Sequence, residues 1–230
     1  MQVSSSTATS ALEFFPSLSR IQFVRHGFIG RIPGIDVATD RASALVRLDA
    51  RHRSLRAELN LARAPLATAE QVHGDRIVMV DQPLRSDHEF AGTDALVTNQ
   101  SGVSLGIYVA DCCAVFLIDP IRRAIGLAHS GRKGTELKIV RRTIETMRDR
   151  FGTSPAELIV QLSPCIRPPH YEVDFAAEIV RQARTAGVVE VHDCGVCTAC
   201  DLSRYYSYRA EKARTGRMLA LLALNAGLSH

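Results

Sequence analysis

The chain has 230 residues, 46% of them hydrophobic and 23% charged, with a formal net charge of +4. That length suits one well-buried domain, and the composition is that of an ordinary globular protein rather than a disordered or fibrous one. The arginine excess is spread along the chain, which suits an anionic small molecule and does not argue for a nucleic-acid partner, and no apolar run approaches the ~20 residues of a membrane helix.

The start, MQVSSSTATSALEFF, is Ser/Thr-rich and lacks the basic and apolar regions of a secretory signal. Residues 1–20 are expected to be a frayed segment and residues 21–230 a single domain. The chain reads as cytoplasmic, so its six cysteines (112, 113, 165, 194, 197 and 200) are expected to be thiols or ligands rather than disulfides.

Residues 21–28 read as a first strand. Asp40 is placed to cap a helix carrying Leu45, Leu48, Leu55 and Leu59, with Pro65 beyond its end. Residues 76–81 alternate like a strand, and a polar loop follows. Residues 94–98, 103–110, 114–119 and 124–128 read as four short strands whose near-continuous apolar character suggests burial on both faces. A long helix is predicted over residues 135–151, with Leu137, Val140, Ile144, Met147 and Phe151 along one stripe. Residues 157–162 form another predicted strand. Asp174 caps a helix over 175–186 that Gly187 ends, and residues 188–192 are again strand-like. The Leu-rich stretch 217–224 fits helix or strand. With no repeat and no linker, one α+β (mixed α/β) domain is expected.

Three residues lie at the ends of these strands: His73 in QVHG, Cys112 in ADCC and His129 in AHSG. Two imidazoles and a thiolate form a three-ligand zinc site with a fourth position open, as in catalytic centres, whereas structural zinc normally has four protein ligands. The metal lowers the thiol pKa, and a water in the open position titrates near ~7. Cys112 and Cys113 point to opposite faces of a strand, so only one can reach the metal. Cys194-x-x-Cys197-x-x-Cys200 invites a metal-cluster reading, but a fourth ligand at fitting spacing is lacking, and three thiols on a loop is the plainer reading. Cys165 is expected to pack behind the pocket. Tyr205, Tyr206 and Tyr208 fit either a pocket mouth or a half-buried strand face. His26, His52, His88, His170, His192 and His230 carry no assigned role.

The strings QVHG (71–74), GTDALVT (92–98), LGIYVADC (105–112), AHSGRKG (128–134), SPCI (163–166), YEV (171–173), CT (197–198), SYR (207–209) and TGR (215–217) occur in this order. As a set the chain resembles the bacterial laccase-domain family. Its members were first called polyphenol oxidases or YfiH-like proteins, and later purine nucleoside phosphorylases. The resemblance runs from about residue 26 to the C-terminus. It implies a single YfiH-like domain of packed mixed β-sheets flanked by helices. It implies zinc, with copper as the older attribution, held by His73, Cys112 and His129, and it selects Cys112 over Cys113. The implied activities are phosphorolysis of adenosine, inosine, guanosine and methylthioadenosine, and adenosine deamination. The sequence departs from the family pattern at Arg132-Lys133, which replaces Trp-Arg, at Ser163, which replaces Gly, at Cys113-Ala114, and in HGFIGRIPG.

Further roles follow from charge and position. Arg132, Lys133 and Arg209 are candidates for binding phosphate. Asp111, beside Cys112, is placed to orient a ligand histidine. Gln71 shares a face with His73, and Tyr171 suits either stacking on a base or the core. The expected partners are a nucleoside and phosphate, with no nucleic acid or membrane, and the chain a monomer or small homo-oligomer. Three rivals remain: a cysteine hydrolase of the cell-wall-precursor editing type using Cys112 and His129, a copper-dependent phenol oxidase, and a metal-stabilised binding protein without activity. A multicopper site needs more histidines in paired motifs than these eight, none of which forms a His-x-His pair.

Overall fold

The computed structural model describes residues 11–225; residues 1–10 and 226–230, His230 among them, lie outside the described residues. Among the described residues, twelve strands form two six-stranded sheets. The strands are β1 (Leu12–Glu13), β2 (Val24–Ile29), β3 (Leu66–Ala69), β4 (Ile77–Met79), β5 (His88–Phe90) and β6 (Ala95–Thr98), then β7 (Ser104–Val109), β8 (Cys113–Asp119), β9 (Ala124–Ser130), β10 (Ile159–Leu162), β11 (Glu190–Asp193) and β12 (Met218–Leu224). Sheet one runs β1-β2-β12-β7-β3-β5 and sheet two runs β11-β10-β8-β9-β6-β4. Both are mixed: β3 pairs in parallel with β7 and β5, while β12 is antiparallel to β2 and β7.

Strand alternation builds two cores from one sheet. In β8, Ala114, Phe116 and Ile118 join the core shared with sheet one. Their neighbours Cys113, Val115 and Leu117 face a second core. That second core is closed by two helices, α4 (Ile139–Phe151) and α5 (Phe175–Thr185), through Ile144, Met147, Ile179 and Ala183. The predicted burial of these strands on both faces is observed. α2 (Arg41–Glu58) adds Leu48 and Leu55 to the first core. Asp40 caps α2 by accepting from the Ser43 amide, and Asp174 caps α5 by accepting from the Ala177 amide. Each cap is worth about 1 kcal/mol. No helix among the described residues is long and apolar enough to cross a membrane.

Several expectations need correction. The segment over 1–20 is not frayed where it is described. β1 pairs with β2, the short helix α1 (Pro16–Ser19) follows, and Leu12, Phe15 and Leu18 are buried. Apolar side chains spaced through a Ser/Thr-rich stretch supply that burial. The long helix is two: α3 (Arg132–Glu136) and α4, separated where Lys138 adopts φ 62°. That left-handed residue turns the chain, so Leu137 is left exposed rather than on the buried stripe. β3 and β5 were not anticipated. The first strand begins at Val24, since the chain before it is a turn. The ambiguous stretch at 217–224 is a strand, fully buried along its length in the middle of sheet one.

Candidate metal centre and pocket

Strand register assembles the centre. β8 and β9 pair Ala114 with His129 and Cys113 with Ser130, which brings Cys112, at the mouth of β8, beside His129. β6 and β9 pair Ala95 with Ala128, which sets Asp94 opposite His129, and the His129 amide donates to the Asp94 carbonyl at 2.7 Å. His73 comes from the loop between β3 and β4.

The ligand atoms of His73, Cys112 and His129 lie within 4.8 Å of one another. Cys112 Sγ is 3.9 Å from His73 Nε2, and the two imidazole rings meet edge to face at 4.9 Å. The expected convergence of the three residues is therefore present.

Asp94, wholly buried, is the hub. Its carboxylate accepts the Nδ1 proton of His129 at 2.8 Å. It also accepts the amides of Val72, His73 and Gly74 at 3.2, 3.0 and 2.7 Å. Three successive N–H groups wrapped on one anion form a backbone nest, which explains how His73 is held at φ 60°. Burial pushes the Asp94 carboxyl up, but the bonds from His129 and the Gly74 and His73 amides hold it below the usual carboxylate range. With Nδ1 committed to Asp94, His129 presents Nε2 to the centre. Burial opposes ionisation of Cys112, yet the charge of His129 and hydrogen bonds from His129 and His73 bring its thiol down to about 6.

The donor set fits a zinc-type ion: two imidazoles and a thiol poised as thiolate. The space does too. A Cβ on Gly131 would stand 2.5 Å from Cys112 Sγ and 4.0 Å from His73 Cδ2, so only glycine keeps the cradle open.

The centre opens into a cavity of about 410 Å³, a size typical of small-molecule sites. Gln71, Asp111, Arg132, Tyr171 and Arg209 line it, as do Arg41, Tyr208 and Arg217. Lys133 lies outside it, on the lining of an adjoining depression.

The roles read from sequence are redistributed. Asp111 does not orient a ligand histidine; that is done by Asp94, which faces His129 across the strand pair. Asp111 instead accepts from the Thr198 hydroxyl and the Arg209 amide, each at 2.7 Å, and so ties the pocket wall together. The Gln71 amide group is spent on the backbone of Tyr108, donating to its carbonyl and accepting from its N–H. Tyr171 lines the cavity with Arg209 stacked 4.9 Å over its ring. Arg209 pairs with Glu172 at 3.0 Å and Arg132 with Glu136 at 3.0 Å. Tyr205 and Tyr206 are core residues, and Tyr208 lines the pocket. Cys113 and Cys165 are fully buried in the second core.

Sequence reasoning missed Asp94, Arg41 and Arg217. Arg217 spends a guanidinium nitrogen on the carbonyls of Thr215 and Gly216, and Arg41 has a buried nitrogen with no hydrogen-bond partner. Burial and the Arg41 charge push the Arg217 pKa down. Arg41 and Arg217 thus bring two like charges to one wall of the cavity, which Asp111 also lines. TGR was noted as a motif, but nothing local marks Arg41.

A family model described as multi-copper polyphenol oxidoreductase laccase matches residues 34–183 and 170–225. The chain belongs to this family. Among curated members, the purine nucleoside phosphorylase of Deinococcus radiodurans is 34% identical over 235 residues, covering 87% of this chain and 89% of that protein. The purine nucleoside phosphorylase YlmD of Bacillus subtilis is 26% identical over 193 residues, covering 68% and 69%. Among solved structures, the hypothetical protein YfiH of Bacillus licheniformis superposes with a TM-score of 0.81 at 20% identity, covering 95% of this chain and 98% of that one. YlmD of Geobacillus stearothermophilus gives 0.78 at 22% identity, covering 94% and 100%. These two structures share the fold of this laccase-family chain: packed mixed sheets flanked by helices.

Proposed function

We propose that this chain is a zinc-dependent purine nucleoside phosphorylase acting on adenosine, inosine, guanosine and methylthioadenosine, with adenosine deamination at the same site. The observation that carries the reading is the pairing of a His73–Cys112–His129 centre with an arginine-lined cavity of about 410 Å³. The names of the curated relatives support it.

When bound, zinc would supply a Lewis acid with one coordination position left open. Asp94 holds His129 in one tautomer and fixes the His73 backbone, so the donor atoms need not reorganise on loading. Arg41 and Arg217 receive the phosphate dianion; its charge satisfies the orphaned Arg41 nitrogen. Tyr171, stiffened by Arg209, offers a face for the purine. In the reaction a phosphate oxygen bonds to C1′ as the C1′–N9 bond breaks, and the purine leaves with the bonding pair and takes up a proton. Incubating metal-replete protein with a nucleoside panel, with and without phosphate, tests this by chromatography. Free base released only with phosphate is expected. Untouched adenosine and inosine in both arms would refute it.

One observation favours a second reading. Asp94, His129 and Cys112 form a carboxylate–imidazole–thiol chain, the arrangement of a cysteine hydrolase. Full activity after exhaustive chelation, lost on alkylating Cys112, selects that reading over the first.

A further inference from the structure

The fold gathers a second set of soft donors on the far side of the Asp111 wall. Cys197 ends an extended segment bridged to Cys165, and a single 3-10 turn, Thr198–Cys200, follows it. A 3-10 turn holds three residues, so positions i and i+3 eclipse and the thiols of Cys197 and Cys200 come to one side. The turn is closed by the Cys200 amide donating to the Cys197 carbonyl at 3.2 Å. His170 arrives from the turn after β10, whose own bonds run from the His170 and Tyr171 amides to the Arg167 carbonyl.

His170 Nδ1 lies 3.5 Å from Cys200 Sγ and 3.8 Å from Cys197 Sγ. All three donor atoms are within 4.8 Å of one another. Zinc bonds of about 2.3 Å to sulfur and about 2.05 Å to nitrogen, at a tetrahedral angle, require an S···N separation of about 3.6 Å. Both observed separations fall within a few tenths of an ångström of that value. The Cys197 thiol also lies 3.9 Å from the Arg167 carbonyl, a longer contact than either approach to His170, and one imidazole nitrogen with one lone pair accepts only one S–H at a time. A shared cation accounts for both.

We propose that His170, Cys197 and Cys200 form a second metal site for a thiophilic d10 ion, zinc, with water completing its shell at the exposed face. It is separate from the His73–Cys112–His129 centre; the total zinc count rests on the zinc reading of that centre, whereas the Cys112→Ala protein tests the second site alone. The third ligand is a histidine 27 residues upstream of Cys197. Cys194 is not in the set, and His192 is engaged by Glu190 at 2.7 Å. The ion staples the 167–171 turn to the 197–200 turn. One carries Tyr171 of the pocket. The other carries Thr198, whose hydroxyl donates to Asp111 at 2.7 Å. Its role is thus to position a pocket wall.

The test is metal stoichiometry on the full chain, reduced, zinc-loaded and desalted, by inductively coupled plasma mass spectrometry. About two zinc ions per chain are expected for the unaltered protein, about one for Cys112→Ala, about one for Cys200→Ser or His170→Gln, and none for Cys112→Ala with Cys200→Ser. In cobalt-loaded Cys112→Ala protein, the thiolate-to-cobalt charge-transfer band should persist, and adding Cys200→Ser should remove it. Circular dichroism identifies any variant that has unfolded; Cys200 and His170 are exposed, so two independent substitutions remain usable. The proposal is overturned if Cys112→Ala protein binds no zinc, or if neither Cys200→Ser nor His170→Gln lowers the stoichiometry. It is equally overturned if anaerobically purified protein carries a Cys197–Cys200 disulfide and takes up zinc only at Cys112.

Discussion

His129 Nδ1 and Asp94 Oδ1 stand 2.8 Å apart, and the same carboxylate holds the backbone amide of His73 at 3.0 Å. One buried charge therefore orients one candidate ligand and fixes the loop of another. Asp94→Asn keeps the shape but loses the charge and turns one acceptor into a donor. Zinc affinity at the His73–Cys112–His129 centre should fall about 10–100-fold, the usual cost of losing such a partner. Competition with a chromophoric chelator measures it; an unchanged affinity would show that Asp94 serves the fold alone.

Gly131 offers a cleaner lesion. Its backbone is extended, at φ −98°, so alanine meets no strain there. The added methyl would stand 2.5 Å from Cys112 Sγ. Gly131→Ala should keep its melting behaviour in the absence of metal and lose zinc at this centre. Retention of zinc at the unaltered level would mean that the cradle is wider than the structure shows.

Arg41 and Arg217, rather than Arg132 and Lys133, should govern phosphate. Arg41→Gln removes a charge-assisted contact of about 1.5–3 kcal/mol, or roughly 10–100-fold in the KM for phosphate. Arg132→Gln and Lys133→Gln should change it by less than about threefold, since exposed charges contribute little. Steady-state kinetics at varied phosphate decides the order.

Burial drives the pKa of His26 and of His52 down to about 4, from the ordinary value of 6.5. As pH falls below 6.5 the unfolded chain takes up these protons and the folded chain does not, so stability declines until pH reaches about 4. The loss is on the order of 3 kcal/mol per histidine at most. The two residues differ in what they bond. His26 Nε2 accepts the Phe15 amide at 2.9 Å, whereas neither ring nitrogen of His52 has a partner. His52→Leu should therefore stabilise the protein by about 1 kcal/mol at neutral pH and blunt its acid sensitivity, whereas His26→Leu should destabilise it by about 1–3 kcal/mol. Urea midpoints at pH 7 and pH 5 check both.

What was legible in the sequence was what is local. Asp40 and Asp174 announce their helices because a cap bonds an amide only three residues on. β8 and β9 are legible as dense apolar runs between turns. The break at Lys138 is not, because a lysine in the left-handed region has no sequence signature. β12 is ambiguous for a physical reason: burial on both faces erases the period-two alternation that separates strand from helix. The three expected metal ligands are legible through their ordered motifs. Asp94 lies inside one of those motifs, yet its role depends on the pairing of β6 with β9, and His170 meets Cys197 and Cys200 only through the return of a turn. Arg41 reaches the pocket from a helix that no motif touches.

The position of β12 also bears on how the protein is made. Sheet one has a slot between β2 and β7 that only residues 218–224 fill. Until those residues leave the ribosome, two bare edges face each other across an unfinished barrier, each a template for a foreign strand. Arg217 enters with the same strand. Closing the sheet and bringing Arg217 to the cavity are therefore a single late event, and a chain stalled before Met218 would lack both and be prone to aggregate.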